Sequence, residues 1–226
     1  VQQFDAPLYR AEQDFSISAI SSTAFTYHGL RDSFSDLTTN LLGRHQMNNA
    51  GNALALLESA TLERFPLSRD AMQMGLQRVR WKGRLEITQH DPTIILDGAH
   101  NPLGGRALFD FLQVRLHDCP GRKLIVILGM MQDKNLGEFL QVLLPLVHSL
   151  IVTQPHMDRA VPADVLAQAA QRHGLEVSVI LSPWEAYCCA RDTANPSDLI
   201  CVTGSLFLVG EILQHLSSSE SPTVQP

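Results

Sequence analysis

Read for its hydrophobic and polar positions, the chain changes texture near residue 80. Beyond that point, short and almost wholly apolar runs alternate with helix-period segments. The runs cover residues 93–97, 123–130, 149–153, 176–181 and 199–203. The helical stretches between and after them cover 104–117, 136–147, 163–173, 184–193 and 206–216. Runs of Val, Ile and Leu without polar alternation suit strands buried on both faces, and helices between such strands make parallel crossovers. Residues 81–216 are therefore expected to form an α/β domain, doubly wound around a mostly parallel sheet.

The first 80 residues lack that alternation. Residues 15–27 are rich in Ser, Thr, Ile and Phe, as in an antiparallel β-segment, and residues 33–43 follow. M-N-N-A-G-N-A-L-A-L-L-E-S-A over 47–60 predicts a helix, and 68–78 predicts another. With few strands and little length for a core of its own, residues 1–80 read as the end of a different domain. The closing S-S-S-E-S-P-T-V-Q-P is polar and proline-bearing, which predicts a disordered tail over 217–226.

Open α/β sheets take ligands beyond the carboxyl ends of their strands, where loops and helix N-termini converge. Residues 97–101, 129–135, 153–159 and 203–205 fall at such ends. Asp97 closes the run I-I-L-D, and Gly98-Ala99 after it would let a ligand approach the backbone. An acid there suits sugar hydroxyls or metal chemistry; the plainer alternative has Asp97 or Asn101 capping the helix that opens near Pro102. His100 offers a group that changes charge near neutrality, or only a satisfied structural histidine. Arg84, in W-K-G-R where the texture changes, offers a planar fork for phosphate or ribose at a hinge or domain cleft, or a solvated surface cation. Ser205, after Gly204, sits where a helix N-terminus could hold an anion or where a hydroxyl could simply cap it. Asp133-Lys134 is a ligand pair or a solvated loop.

Composition narrows the classes. The chain has 226 residues, 45% hydrophobic and 18% charged, ordinary for a folded globular protein of one large domain or one domain plus part of another. A net charge of -6 without any basic run argues against a nucleic-acid partner. The apolar stretch 140–150 is broken by Pro145 and His148 and falls short of the ~20 residues a membrane span needs. No basic and then apolar leader opens the chain, so a cytoplasmic location is expected. Cys119, Cys188, Cys189 and Cys201 form neither a metal-type pair nor a disulfide framework, and read as small buried hydrophobes in a reducing compartment. The sequence contains no G-x-x-x-x-G-K-[ST], no G-x-G-x-x-G after the first strand of the α/β part and no G-x-S-x-G.

Five stretches in order carry more than any one of them: G-R-H-Q-M-N-N-A with its Ala- and Leu-rich helix (43–57), W-K-G-R-L-E (81–86), I-L-D-G-A-H-N-P (95–102), Asp133-Lys134, and T-G-S-L-F-L-V-G-E (203–211). Together they closely resemble the folylpolyglutamate synthase/dihydrofolate synthase family of the Mur ligase superfamily. The resemblance covers most of residues 6–216. It implies an ATP- and Mg2+-dependent ligase that activates a dihydropteroate or folate carboxylate as an acyl phosphate for attack by the amine of L-glutamate. Residues 1–80 would be the tail of the central ATPase domain and 81–216 the Rossmann-like C-terminal domain. The chain would then be a C-terminal fragment, with the phosphate loop and magnesium ligands in the missing N-terminal region and no metal ligand here.

Carried over by position, Asn49 matches the asparagine at the adenine, Arg84 the arginine reaching the nucleotide, Asp97 the acid on the ribose side and His100, the catalytic candidate, the histidine placed toward the phosphates. Lys134 and Ser205 match a lysine and a serine that hold the incoming amino acid in related Mur ligases. Lys82 departs from the family's usual proline. The implied partners are ATP, L-glutamate and folate or dihydropteroate, with no nucleic acid or membrane, and a monomer is expected. Two alternatives stay open: another Mur-type ligase of peptidoglycan synthesis, and a non-catalytic nucleotide- or folate-binding module.

Overall fold

A computed structural model of the chain describes residues 7–60 and 68–219. The chain divides after Trp81 into two compact units.

In the first unit, strands β1 (Ser16–Ala19), β2 (Ala24–His28) and β3 (Ser33–Thr38) form an antiparallel sheet in that order. Residues 15–27, expected as one β-segment, are two strands because Ser21 turns the chain: its Oγ accepts the amides of Thr23 (3.3 Å) and Ala24 (3.0 Å). Helices α1 (Arg44–Ala60) and α2 (Arg69–Arg78) follow, the second capped by Ser68, whose side chain accepts from the Ala71 amide. Phe25, Tyr27, Leu37, Met47, Leu54 and Met72 form the core. Glu58, buried near the end of α1, accepts from the Tyr27 hydroxyl (2.7 Å) and from the amides of Leu30 (2.8 Å) and Asp32 (3.4 Å), which fixes the β2–β3 turn. Burial, and then the Glu58 carboxylate, push the Tyr27 phenol well above its usual range.

The second unit holds a six-stranded sheet. Its strands are β4 (Glu86–His90), β5 (Thr93–Leu96), β6 (Leu124–Leu128), β7 (Ser149–Val152), β8 (Val177–Val179) and β9 (Leu199–Thr203), in the order β4-β5-β9-β6-β7-β8. Every pairing is parallel except the β4–β5 hairpin. The helices are α3 (Pro102–His117), α4 (Leu136–Leu143), α5 (Ala163–Gln171), α6 (Pro183–Thr193) and α7 (Leu206–Ser219). Strands β6 and β9 are buried at every residue. On one face Ile94, Leu96, Ile125, Ile127, Ile200 and Val202 pack with Tyr187 of α6 and Leu208 and Ile212 of α7. The alternate residues Ile95, Val126, Leu128 and Cys201 are equally buried, as the pleat requires of a sheet covered on both faces. The architecture is the doubly wound α/β fold that the apolar runs predict.

Several expectations need correction. Strand β4 has no counterpart among the runs read from sequence. Helix α4 stops at Leu143 and gives way to a short 3-10 turn over Leu144–Leu146, since Pro145 cannot continue an α-helix. Helix α7 continues through Ser219, into the stretch expected as a tail; the rest of that stretch, 220–226, lies outside the described residues. Of the four cysteines only Cys201 is buried, whereas Cys119 and Cys188 are half-buried and Cys189 is exposed. Among the described residues no helix is long and apolar enough to cross a membrane.

Candidate functional site

Because β5, β9, β6 and β7 run parallel, their carboxyl ends open on one edge of the sheet. Antiparallel β4 starts on that same edge, with Glu86 opposite Leu96. Arg84, Asp97, His100, Lys134 and Ser205 all lie along it, on loops at the mouths of β4, β5, β6 and β9.

Asp97 is only 5% exposed. One carboxylate oxygen accepts the amide of Leu85 and the other that of Ala99, both at 2.9 Å. A second tie runs beside them, from the Gly98 amide to the Gly83 carbonyl (2.8 Å). The W-K-G-R turn is thus fastened onto the D-G-A-H loop, with Leu85 held in the left-handed region at φ 47°. Asp97 does not cap α3: Asn101 does, accepting the Gly104 amide at 2.8 Å, with Pro102 in the first turn. Gly98 has a packing reason as well. A Cβ there would come within 2.2 Å of Leu206 Cδ2, so the absent side chain makes room for the start of α7.

His100 is half-buried, and its Nδ1 lies 2.8 Å from the Gly98 carbonyl. A carbonyl can only accept, so Nδ1 carries the proton and Nε2 is the nitrogen left to gain or lose one. Arg84 is half-buried beside the Leu85–Asp97 bond. Ser205 is 2% exposed, and its Oγ accepts the Phe207 amide at 3.0 Å, which is the capping role. Before it, Gly204 at φ 100° leaves no space for a Cβ, since the Gly129 carbonyl would lie at 2.7 Å. Lys134 places Nζ 2.6 Å from Asp133 Oδ2. That hydrogen bond, with the charges of Lys134 and Arg159, holds the Asp133 carboxyl below its usual range. Asn49 belongs to the first unit, where it is exposed on α1 and donates to Gln46 Oε1 (3.1 Å).

The sequence reading did not single out four residues on the same edge: His156, Arg159, Phe207 and Glu211. The Arg159 guanidinium lies over the Phe207 ring, 5.3 Å from its centroid, and Nη1 is 4.0 Å from Asp133. Glu211 accepts both the His156 amide and its Nδ1, each at 2.7 Å. Residues 153–159 and T-G-S-L-F-L-V-G-E were already placed at strand ends; only their pairing through space was hidden. The edge thus carries Arg84, Lys134, Arg159 and two imidazoles beside the carboxylates of Asp97, Asp133 and Glu211. Among the described residues no cluster of three or more His, Cys, Asp or Glu could hold a metal.

The fold is that of a Mur ligase's C-terminal domain, and residues 83–206 match the family described as Mur ligase, glutamate ligase domain. The chain belongs to that family and, within it, to the folylpolyglutamate synthase/dihydrofolate synthase branch, matching the C-terminal portion of its members. It is 34% identical over 173 residues to a dihydrofolate synthase/folylpolyglutamate synthase of Mycobacterium tuberculosis, an alignment covering 74% of this chain and 35% of the relative. It superimposes on folylpolyglutamate synthase of the same organism complexed with ADP at a TM-score of 0.83 and 29% identity, covering 98% of this chain and 51% of the other. A bifunctional folylpolyglutamate synthase/dihydrofolate synthase with Mn, AMPPNP and L-glutamate bound superimposes at a TM-score of 0.82 and 25% identity, covering 96% and 49%. The chain thus spans about half the length of the solved relatives.

Proposed function

We propose that this chain forms the C-terminal part of a cytoplasmic, monomeric ligase that joins L-glutamate to the carboxylate of dihydropteroate or a folate at the expense of ATP. The observation that supports it best is the family match over 83–206, whose strand mouths gather Arg84, Asp97, His100, Lys134 and Ser205 on one edge. Residues 1–80 then belong to the central ATP-binding domain and 81–216 to the C-terminal domain. The donor set fits the nucleotide but not the metal: Arg84 and His100 can face phosphate oxygens, while the magnesium ligands are assigned outside these residues. Bound Mg-ATP would supply the phosphoryl group that activates the carboxylate.

In this reading Arg84 gives charge-assisted hydrogen bonds to the nucleotide. Asp97 acts mainly by fixing the Arg84 turn through the Leu85 amide, and Asn49 takes the adenine. With Nδ1 committed to Gly98, His100 presents Nε2 to donate to a phosphate oxygen or to hold a proton. Lys134 and the start of α7 at Ser205 receive the amino acid. Residues 1–226 contain no G-x-x-x-x-G-K-[ST], and in this reading the chain alone is expected to release no ADP.

The test is glutamate-dependent ADP release by the whole protein that carries this chain, with dihydropteroate and tetrahydrofolate offered separately. Turnover with either establishes the reading, and Arg84→Ala should then weaken ATP use by about 1.5–3 kcal/mol. Turnover only with a peptidoglycan precursor, or none at all, overturns it.

A further inference from the structure

The turn that carries Arg84 is held by a second carboxylate besides Asp97. Glu86 opens β4 and pairs in register with Leu96, the residue before Asp97, so the two acids stand at the same end of neighbouring strands. The Glu86 side chain reaches back along the chain, and its Oε2 accepts the amide of buried Gly83 at 2.7 Å. Asp97 accepts the Leu85 amide at 2.9 Å, and the Gly83 carbonyl takes the Gly98 amide at 2.8 Å. These bonds close on Gly83 and Leu85, the residues on either side of Arg84. Both need the support. Gly83 is at φ 69°, and a Cβ on it would lie 2.8 Å from Val209 Cγ1. Leu85, at φ 47°, is among the described residues of the second unit the one residue other than glycine with a positive φ. A conformation of that kind persists only where its surroundings over-determine it, and such strain gathers at functional sites. Released, Leu85 would relax toward the extended or helical wells and swing Arg84 with it.

We infer that Glu86 is a positioning residue for the nucleotide: it holds Gly83, and through Gly83 it fixes the direction in which Arg84 leaves the turn. This rests on the ligase reading above, in which Arg84 meets the nucleotide, and adds a residue that acts only through Arg84. The reach of the side chain matters more than its charge. An aspartate at this place, one methylene shorter, falls short of the Gly83 amide, whereas a glutamine keeps an acceptor oxygen at the same reach. Asp97 does not duplicate the bond, since its two oxygens accept the amides of Leu85 and Ala99.

The test is ADP affinity, measured by calorimetry on the whole protein that carries this chain, together with its melting temperature. Glu86→Ala and Glu86→Asp are each expected to weaken ADP binding about tenfold, as a charge-assisted contact from Arg84 is misplaced, and Glu86→Gln to stay within about threefold of wild type. Should Glu86→Ala fail to fold, Glu86→Asp reads the same contact. In an Arg84→Ala background Glu86→Ala is expected to change ADP affinity no further, because the contact it serves is gone. A lowered melting temperature with wild-type ADP affinity makes Glu86 structural and overturns the inference. So do equal losses with and without Arg84, or Glu86→Asp matching wild type while Glu86→Gln matches Glu86→Ala. Its failure is separable from that of the ligase reading. Glutamate ligation with wild-type ADP affinity in Glu86→Ala loses only the inference. ADP held through Arg84 and Glu86, in a protein that joins glutamate to neither dihydropteroate nor tetrahydrofolate, loses only the ligase reading. A wild type that binds no ADP overturns both.

Discussion

Two buried aspartates sit at opposite edges of the same sheet. Asp97, at the carboxyl end of β5, accepts the amides of Leu85 and Ala99. Asp198, just before β9 at the amino edge, accepts the Lys123 amide (3.2 Å) and both the backbone amide (2.9 Å) and side-chain amide (3.0 Å) of Asn195. They are 5% and 3% exposed. By burial and hydrogen bonding they are the same kind of residue, each stapling loops that the sheet brings together. They differ in neighbourhood: Asp97 fastens the turn bearing Arg84 next to His100, whereas the Asp198 bonds join only the connections into β6 and β9. A satisfied buried acid therefore does not mark a site, and its position on the sheet does.

Removing each acid in turn should separate the two edges. Asp97→Ala leaves two buried N–H groups without acceptors, about 1–3 kcal/mol each, and should lower the melting temperature clearly. In the whole protein it should also raise the KM for ATP, since the Arg84 turn is released. Asp198→Ala should cost about 1–3 kcal/mol while leaving the KM for ATP and for glutamate unchanged. Equal kinetic effects would erase the distinction between the two edges. Asp97→Asn is informative too. An acid that serves only a ligand would tolerate it with normal melting; here the new NH2 must face a backbone N–H, so a measurable loss of stability is expected.

That outcome bears on what the sequence could disclose. Strands β5, β6, β7 and β9 were legible because burial on both faces leaves unbroken aliphatic runs. Strand β4, E-I-T-Q-H, is an edge strand paired on one side only, with each residue half-buried or exposed, and gives no such run. Helix positions were legible too, with Ser68 and Asn101 in capping places. The candidate site was legible as a set of strand mouths, since parallel strands must share a carboxyl edge. Its couplings were not. Asp97 finds Leu85 twelve residues back, Gly98 makes room for Leu206, and Glu211 reaches His156 across 55 residues of sequence. Local spacing carries no trace of such contacts. Gly98 in particular reads from sequence only as a glycine for ligand approach, and its packing against the α7 side chain adds a second reason for the residue.

Gly98 supplies the next test. If packing against Leu206 is the reason for glycine, Gly98→Ala should destabilise by about 1–3 kcal/mol, as other overpacking changes do. Leu206 is partly exposed and its side chain can turn aside, which favours the lower end. The double variant with Leu206→Ala should recover most of the loss, a coupling read from four melting curves. Additive losses would mean that the glycine serves something other than Leu206.

The smallest expected effect is a pH dependence, and it again sets the two edges against each other. Burial opposes the charge on Asp198, but the amides of Asn195 and Lys123, the Asn195 side chain and the Lys123 charge outweigh it and hold the carboxyl below its usual value. A lowered pKa in the folded state contributes stability that is fully present above the unfolded value of 3.8 and is lost as pH falls through the folded one. Asp133 on the carboxyl edge is lowered as well, chiefly by its hydrogen bond to Lys134, so its contribution has the same sign. The two respond differently to salt. Asp133 and Arg159 are solvent-exposed and Lys134 half-buried, and their share should fade as ionic strength rises; the Asp198 carboxylate is buried and held mainly by amide hydrogen bonds, and its share should largely persist. Melting temperature measured from pH 6 down to pH 3 at low and high salt should therefore show an acid slope that salt reduces only in part. Asp133→Asn should remove the salt-sensitive portion and Asp198→Asn the remainder. If Asp198→Asn leaves the high-salt slope unchanged, the amino-edge acid owes its place to packing alone.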